Sequence, residues 1–86
     1  MTNPIRIRLE TLLRERGLKW SDMYHKVGWH KSFASAVFNG KIIPPLWQRV
    51  ALVQEFSKSG ENVDASVVWD EAVLISSYGS RGVTNK

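Results

Sequence analysis

Apolar residues in this chain recur at three- and four-residue intervals, broken by glycine and proline, and that spacing predicts helices. Ile5, Leu9, Leu12 and Leu13 form one stripe, which predicts a first helix over about 4–16. Asn3 suits its N-cap and Pro4 its first helical position, where a missing N–H costs nothing. Gly17 marks its end. A second helix is expected over about 20–27, with Met23 and Val27 facing the core. A third is expected over about 30–38, burying Phe33, Ala34 and Val37 and closing at Asn39-Gly40. Pro44-Pro45 starts a fourth over about 45–57, lined by Leu46, Val50, Val53 and Phe56, with Trp47 and Leu52 beside them. After the polar stretch SKSGEN, Asp64 is a candidate cap for a fifth helix over about 65–77, carrying Val67, Val68, Trp69, Val73, Leu74 and Ile75. The β-branched residues there leave a short strand at Ala65–Trp69 as an alternative. The expected fold is all-α, about five short helices in one domain over 1–78, followed by a loose tail over 79–86.

The stretch Trp20 to Gly40 says most about function. Gly28 stands between two short helical patterns, where the backbone must turn sharply and positive φ is needed. Two helices joined by so tight a corner, the second with a polar outer face, suit the major groove of DNA. His30, Lys31, Ser32 and Ser35 fall on that outer face near the start of the third helix, where base edges are met. Lysine donates to guanine O6 and N7, and serine donates or accepts with weaker discrimination. Lys19 and Ser21 flank the start of the second helix, whose free N–H groups suit phosphate oxygen. Asn39, Lys41 and Arg14 are further candidates for phosphate.

Charge sharpens this picture. Residues 1–50 hold nine basic side chains against three acidic, a balance of +6, whereas residues 51–86 hold three against five, a balance of −2. The cationic half contains the corner, and a polyanion would be drawn to it. A merely solvated helix face is the plainer account of the same charges.

Other chemistry finds little support in the sequence. There is no cysteine among the 86 residues, so no disulfide or cysteine-held metal is expected. His25 and His30 are five apart with no carboxylate at ligand spacing, so no metal site is expected. Asp70 and Glu71 are adjacent and read as a charged helix face rather than an acid/base pair. No glycine-rich phosphate loop is present, and nothing calls for a cofactor or a small-molecule ligand. No apolar run reaches the roughly 18 residues of a membrane span, and MTNPIRIRLE is too polar for a secretory signal. The expectation is a soluble cytoplasmic protein without catalytic activity.

Met23, Val27, Trp29, Ala34 and Val37, with Gly28 at the corner and Gly40 at the close, resemble the lambda-repressor-like helix-turn-helix family over about residues 5–56. The resemblance implies that His30, Lys31, Ser32 and Ser35 read bases. It implies a small regulator of phage or mobile-element type, a repressor that occludes a promoter. Two positions depart from the family pattern. Trp20 stands where a polar residue usually opens the second helix and grips phosphate. Tyr24 stands where the helices cross and a small residue is usual, which requires a wider crossing or an outward tyrosine. The chain is also similar to the N-terminal helical domain of cyanase, through Trp20, Phe33, Ala34, Ala36, Pro45 after Gly40, and Ser80-Arg81-Gly82. That kinship implies an assembly domain with neither DNA binding nor catalysis.

Core packing is the ordinary role for Trp20, Trp29, Trp47 and Trp69. Trp69, with Val68 and Val73, is also a candidate dimer contact, because a lone fifth helix would leave them wet. A homodimer would set two reading helices about 34 Å apart, one turn of duplex, and so match a palindromic operator.

Overall fold

The computed structural model describes residues 4–79. Among these the chain is all-helical, with five α-helices and no strand. They are α1 (Pro4–Arg16), α2 (Trp20–Lys26), α3 (Lys31–Phe38), α4 (Leu46–Ser57) and α5 (Glu71–Gly79), with a 3-10 turn at Ala65–Val67 before α5. Asn3, Ser80-Arg81-Gly82 and the rest of the expected tail lie outside the described residues.

The N-terminal stripe packs as its spacing requires. Ile5, Leu9, Leu12 and Leu13 are all buried, and they meet Met23, Ala34, Val37, Leu52, Val53 and Phe56 in one core. Helix α2 packs on both α3 and α4, and α1 lies against α3. Gly28 ends the short link between α2 and Trp29 with φ of 79°, a region in which a side chain crowds the backbone. A Cβ at Gly28 would meet no atom within 4 Å, so backbone conformation alone demands glycine there. Gly28→Ala is therefore expected to lower stability by about 1 kcal/mol. Urea unfolding should show a lower midpoint at an unchanged slope.

Helix α4 buries only part of the expected face, Val53 and Phe56, and adds Leu52 to it. Leu52, Val53 and Phe56 enter the core, while Leu46, Val50 and Trp47 are exposed, Trp47 at 70 %. Residues 46 to 53 are apolar nearly all round the helix, so their sequence marks no single stripe. Only one face can meet α2, and the register of the Pro44-Pro45 entry turns Leu46 and Trp47 outward.

The expected fifth helix over 65–77 is also corrected. Asp64 does accept from the Ser66 N–H at 3.3 Å, but it opens only the 3-10 turn Ala65–Val67. Helix α5 starts afresh at Glu71. Asp70 begins it, its carboxylate accepting from the Val73 N–H at 2.9 Å and its carbonyl from the Leu74 N–H at 3.0 Å. The strand alternative at Ala65–Trp69 is likewise replaced by the turn. The break between the two segments buries Val68 and Trp69 at 0 % and 2 % exposure within the chain's own core. Their assignment as a dimer contact does not hold, since side chains enclosed by their own chain have no surface to offer a second one. Val73 is partly buried against the same core.

Arginines strap the layers together. Arg8 donates to the Val68 carbonyl at 2.9 Å and to Asp70 Oδ2 at 3.3 Å, tying α1 to the joint before α5. Arg16 donates to the Phe56 carbonyl at 2.9 Å, and a Cβ at Gly60 would run into its guanidinium. Arg49 donates to the Pro44 carbonyl at 2.6 Å. The Asp70 carboxyl lies below its ordinary pKa, first because it accepts from the Val73 N–H and further because Arg8 is beside it. A carboxylate held low in the folded state stabilises above its unfolded pKa and loses that contribution as pH falls through its folded one. Asp70→Asn should therefore flatten the acid limb of the stability profile below about pH 4. Thermal melts of both proteins across that range check this.

Candidate nucleic-acid interface

Helix α3 separates its two faces by simple periodicity. Ala34 and Val37 are buried, so Lys31, Ser32 and Ser35 are carried outward, and all three are exposed. Lys31 and Ser35 are one turn apart and Ser32 lies beside them, which makes one polar strip. His30 is exposed too, but it occupies the N-cap position in an extended conformation rather than the first turn. The third helix was expected to open at His30 and opens at Lys31. Neither His30 nor Lys19, the N-cap residue of α2, donates or accepts a side-chain capping bond. The first N–H groups of α3 thus have no side-chain acceptor from its cap, and its outer strip carries a cation but no carboxylate.

The corner behind this strip is built from aromatic rings. Trp20 meets Phe38 at 5.1 Å, Tyr24 at 6.0 Å and Trp29 at 6.2 Å between centroids. Trp29 in turn meets Phe33 edge to face at 5.0 Å. Tyr24 is buried rather than swung out, and its ring lies 4.7 Å from that of His25. Trp20 opens α2 as a packing residue, with its indole nitrogen enclosed and without a hydrogen-bond partner. A network of edge-to-face rings holds the α2–α3 angle by shape, each pair adding roughly 0.5–1.5 kcal/mol beyond its buried area. Arg6 extends the cluster from α1, with its guanidinium 5.5 Å above the Phe38 ring.

The remaining candidates divide into available and committed groups. Lys19, Ser21, Lys41 and Arg14 are exposed. Asn39 is half-buried, and its amide is occupied at both ends. Its Nδ2 donates to the Ser35 carbonyl at 2.9 Å and its Oδ1 accepts from Arg6 at 3.2 Å. It finishes α3 and fixes the last turn to α1, so its side chain serves the fold.

The cationic half divides in the same way. Arg6, Arg8, Arg16 and Arg49 are held by intramolecular hydrogen bonds. Arg14, Lys19, Lys26, Lys31 and Lys41 are exposed and form no ion pair among the described residues. Four of these five lie in or beside α2 and α3, and Asp22 in the first turn of α2 is the carboxylate among them. A shallow depression lined by Gly28, Trp29, His30, Phe33 and Gln48 borders the start of α3.

The straps from Arg8 and Arg16, and the Arg6 bond to Asn39, were not marked in the sequence, because their partners lie 33 to 62 residues away. One signal was readable. An aspartate followed at once by glutamate and an apolar run marks a helix start, and Asp70-Glu71 has that form.

Among the described residues no three His, Asp or Glu side chains gather where a metal ion could be held, and no helix is long and apolar enough to cross a membrane. No protein-family model, curated protein or solved structure matches the chain.

Proposed function

We propose that this protein binds double-stranded DNA through α3 and acts as a sequence-specific transcriptional regulator of the helix-turn-helix type. The observation that carries the reading is the outer strip of α3. It presents Lys31, Ser32 and Ser35 from a helix anchored by Ala34 and Val37, with unpaired Lys19, Lys26 and Lys41 at the helix ends around it. Lysines at the helix ends supply attraction to phosphate irrespective of sequence, and the short polar side chains between them supply discrimination. The aromatic corner supports the same reading, because a reading helix must be held rigidly to tell base pairs apart.

In this reading Lys31 and Ser32 meet base edges, His30 and Ser35 flank them, and Lys19, Ser21, Lys41 and Arg14 face phosphates. Asn39 acts by holding the end of α3 rather than by touching DNA. The protein works in the cytoplasm and represses by occupying a promoter, as the resemblance to small phage-type regulators implies. The alternative of a cyanase-like assembly domain leaves the segregated lysines without a task.

Fluorescence anisotropy of a labelled random duplex pool tests the proposal. Binding at or below about 10 µM in low salt is expected, since even non-specific contacts reach 10⁻⁴–10⁻⁶ M at physiological salt. No binding at that concentration contradicts it. Enriching bound fragments from a genomic library should then converge on a short shared site.

A further inference from the structure

Two exposed faces of this chain share one spacing of exposed residues and differ in the sign of the charge beside them. On α4, Leu46, Trp47 and Val50 form one apolar patch at positions i, i+1 and i+4, exposed by 61 %, 70 % and 36 %. Ile42 and Lys41, both exposed, precede it. No acidic residue occurs from 23 to 54, a span that holds Lys26, Lys31, Lys41 and Arg49. On α5, Glu71, Ala72 and Ile75 repeat the i, i+1, i+4 spacing, all exposed, with Ile75 at 61 %. Val67, half-exposed, adds apolar surface on the 3-10 turn just before it. No basic residue occurs from 59 to 79, a span that holds Glu61, Asp64, Asp70 and Glu71.

Single exposed apolar residues are ordinary on protein surfaces, but clusters of them mark interaction sites. We propose that copies of this chain associate head to tail, with the α5 face of one copy seated on the Leu46–Trp47–Val50 face of the next. Like faces are poor partners for themselves. Two α4 faces would bring two basic surfaces together, and two α5 faces two acidic ones. Only the unlike pairing buries the apolar residues of both faces while opposite charges meet. Asp70 is held by Arg8 and Val73 in its own chain, so Glu71, with Asp64, carries the acidic side of the contact. Both patches are small, so the association is weak and concentration-dependent, and its charged component is screened by salt. A heterologous contact of this kind builds open chains or rings rather than closed two-fold pairs. The inference does not depend on DNA binding, and its test uses none.

Sedimentation velocity of the full chain between about 10 µM and about 1 mM tests it. The mean mass should rise with concentration and fall back when salt is raised from about 50 mM to about 500 mM. Trp47→Glu and Ile75→Lys each alter one exposed face, and each variant alone should need at least about tenfold more protein to associate. An equimolar mixture of the two should form a one-to-one dimer that does not grow, because each variant keeps the face the other has lost. A chain that stays monomeric throughout overturns the proposal. So does a Trp47→Glu effect without an Ile75→Lys effect, which means α4 pairs with itself. A mixture no better associated than either variant overturns it as well.

Discussion

Replacing Lys31 with glutamate is expected to weaken duplex binding by about 100-fold, the largest functional effect of any single exposed residue in this protein. The lysine stands in the first turn of α3, exposed and unpaired, with its neighbours Ser32 and Ser35 on the same strip. Losing its contact costs what one good base-edge pair supplies, about 1–3 kcal/mol. A carboxylate in its place adds repulsion from the phosphates, so the reversal exceeds simple loss. Lys31→Ala should therefore fall short of it, near tenfold, and should alter which sequences are preferred, as should Ser32→Ala. Arg14→Ala is the contrast. If its exposed guanidinium meets phosphate, all sequences weaken alike and the salt slope drops by about one. Lys58, beyond the C-terminal end of α4 and paired with Glu55 at 2.9 Å, supplies the control. Lys58→Glu should change affinity less than about threefold, because Lys58 lies outside the proposed interface and a long-range charge is screened by salt. Anisotropy titrations of the parent and the five variants at several salt concentrations check these expectations. Circular dichroism should not distinguish Lys31→Glu from the parent, since the side chain supports nothing in the fold.

Trp69→Ala is expected to produce the largest loss of stability, about 3–5 kcal/mol. That is most of what a domain of this size holds in reserve. Trp69 is enclosed with Val68, Leu52 and Phe56 in the core, and the joint before α5 closes over it. Truncation leaves a cavity beneath that joint, and the Arg8 strap to Asp70 and the Val68 carbonyl loses its support. Trp69→Phe should cost much less. It keeps most of the volume and removes an enclosed indole N–H that has no partner. Chemical unfolding at low micromolar protein separates the two accounts of this residue. A core role predicts that the midpoint of the parent is the same at every concentration in that range. A dimer contact would make the midpoint rise with concentration.

The legible parts of the fold were those where a local signal agreed with the global arrangement. Helix α1 has proline at its start, a clean stripe and a glycine after its end, and its observed span is the expected one. Helix α3 was legible for a related reason. Ala34 and Val37 leave only one way to turn it, and that fixes which residues of the candidate site face outward. The readings of α4 and the segment after it held only in part, and failed where the sequence is apolar on more than one side. In α4 the choice between the Leu46–Val50 and the Leu52–Phe56 faces belongs to the packing of α2, which no window of α4 contains. In the last segment a continuous apolar run hid the restart at Asp70. The site itself was partly legible. Lys31, Ser32 and Ser35 are where the spacing puts them, whereas Asn39 is engaged by Arg6 from α1, a partner 33 residues away. The commitment of Arg8 and Arg16 as straps was equally out of reach, because it is settled by the carbonyls of Val68 and Phe56, 60 and 40 residues away.

The most direct test of the central claim is to follow every backbone amide by two-dimensional nitrogen–proton correlation spectra while duplex DNA is added to the labelled protein. The account predicts that the shifts concentrate at Lys19–Ser21, at His30–Ser35 and at Lys41, with the amides of Val68 and Trp69 nearly still. Spectra that do not move, or that move chiefly along α5, would contradict it.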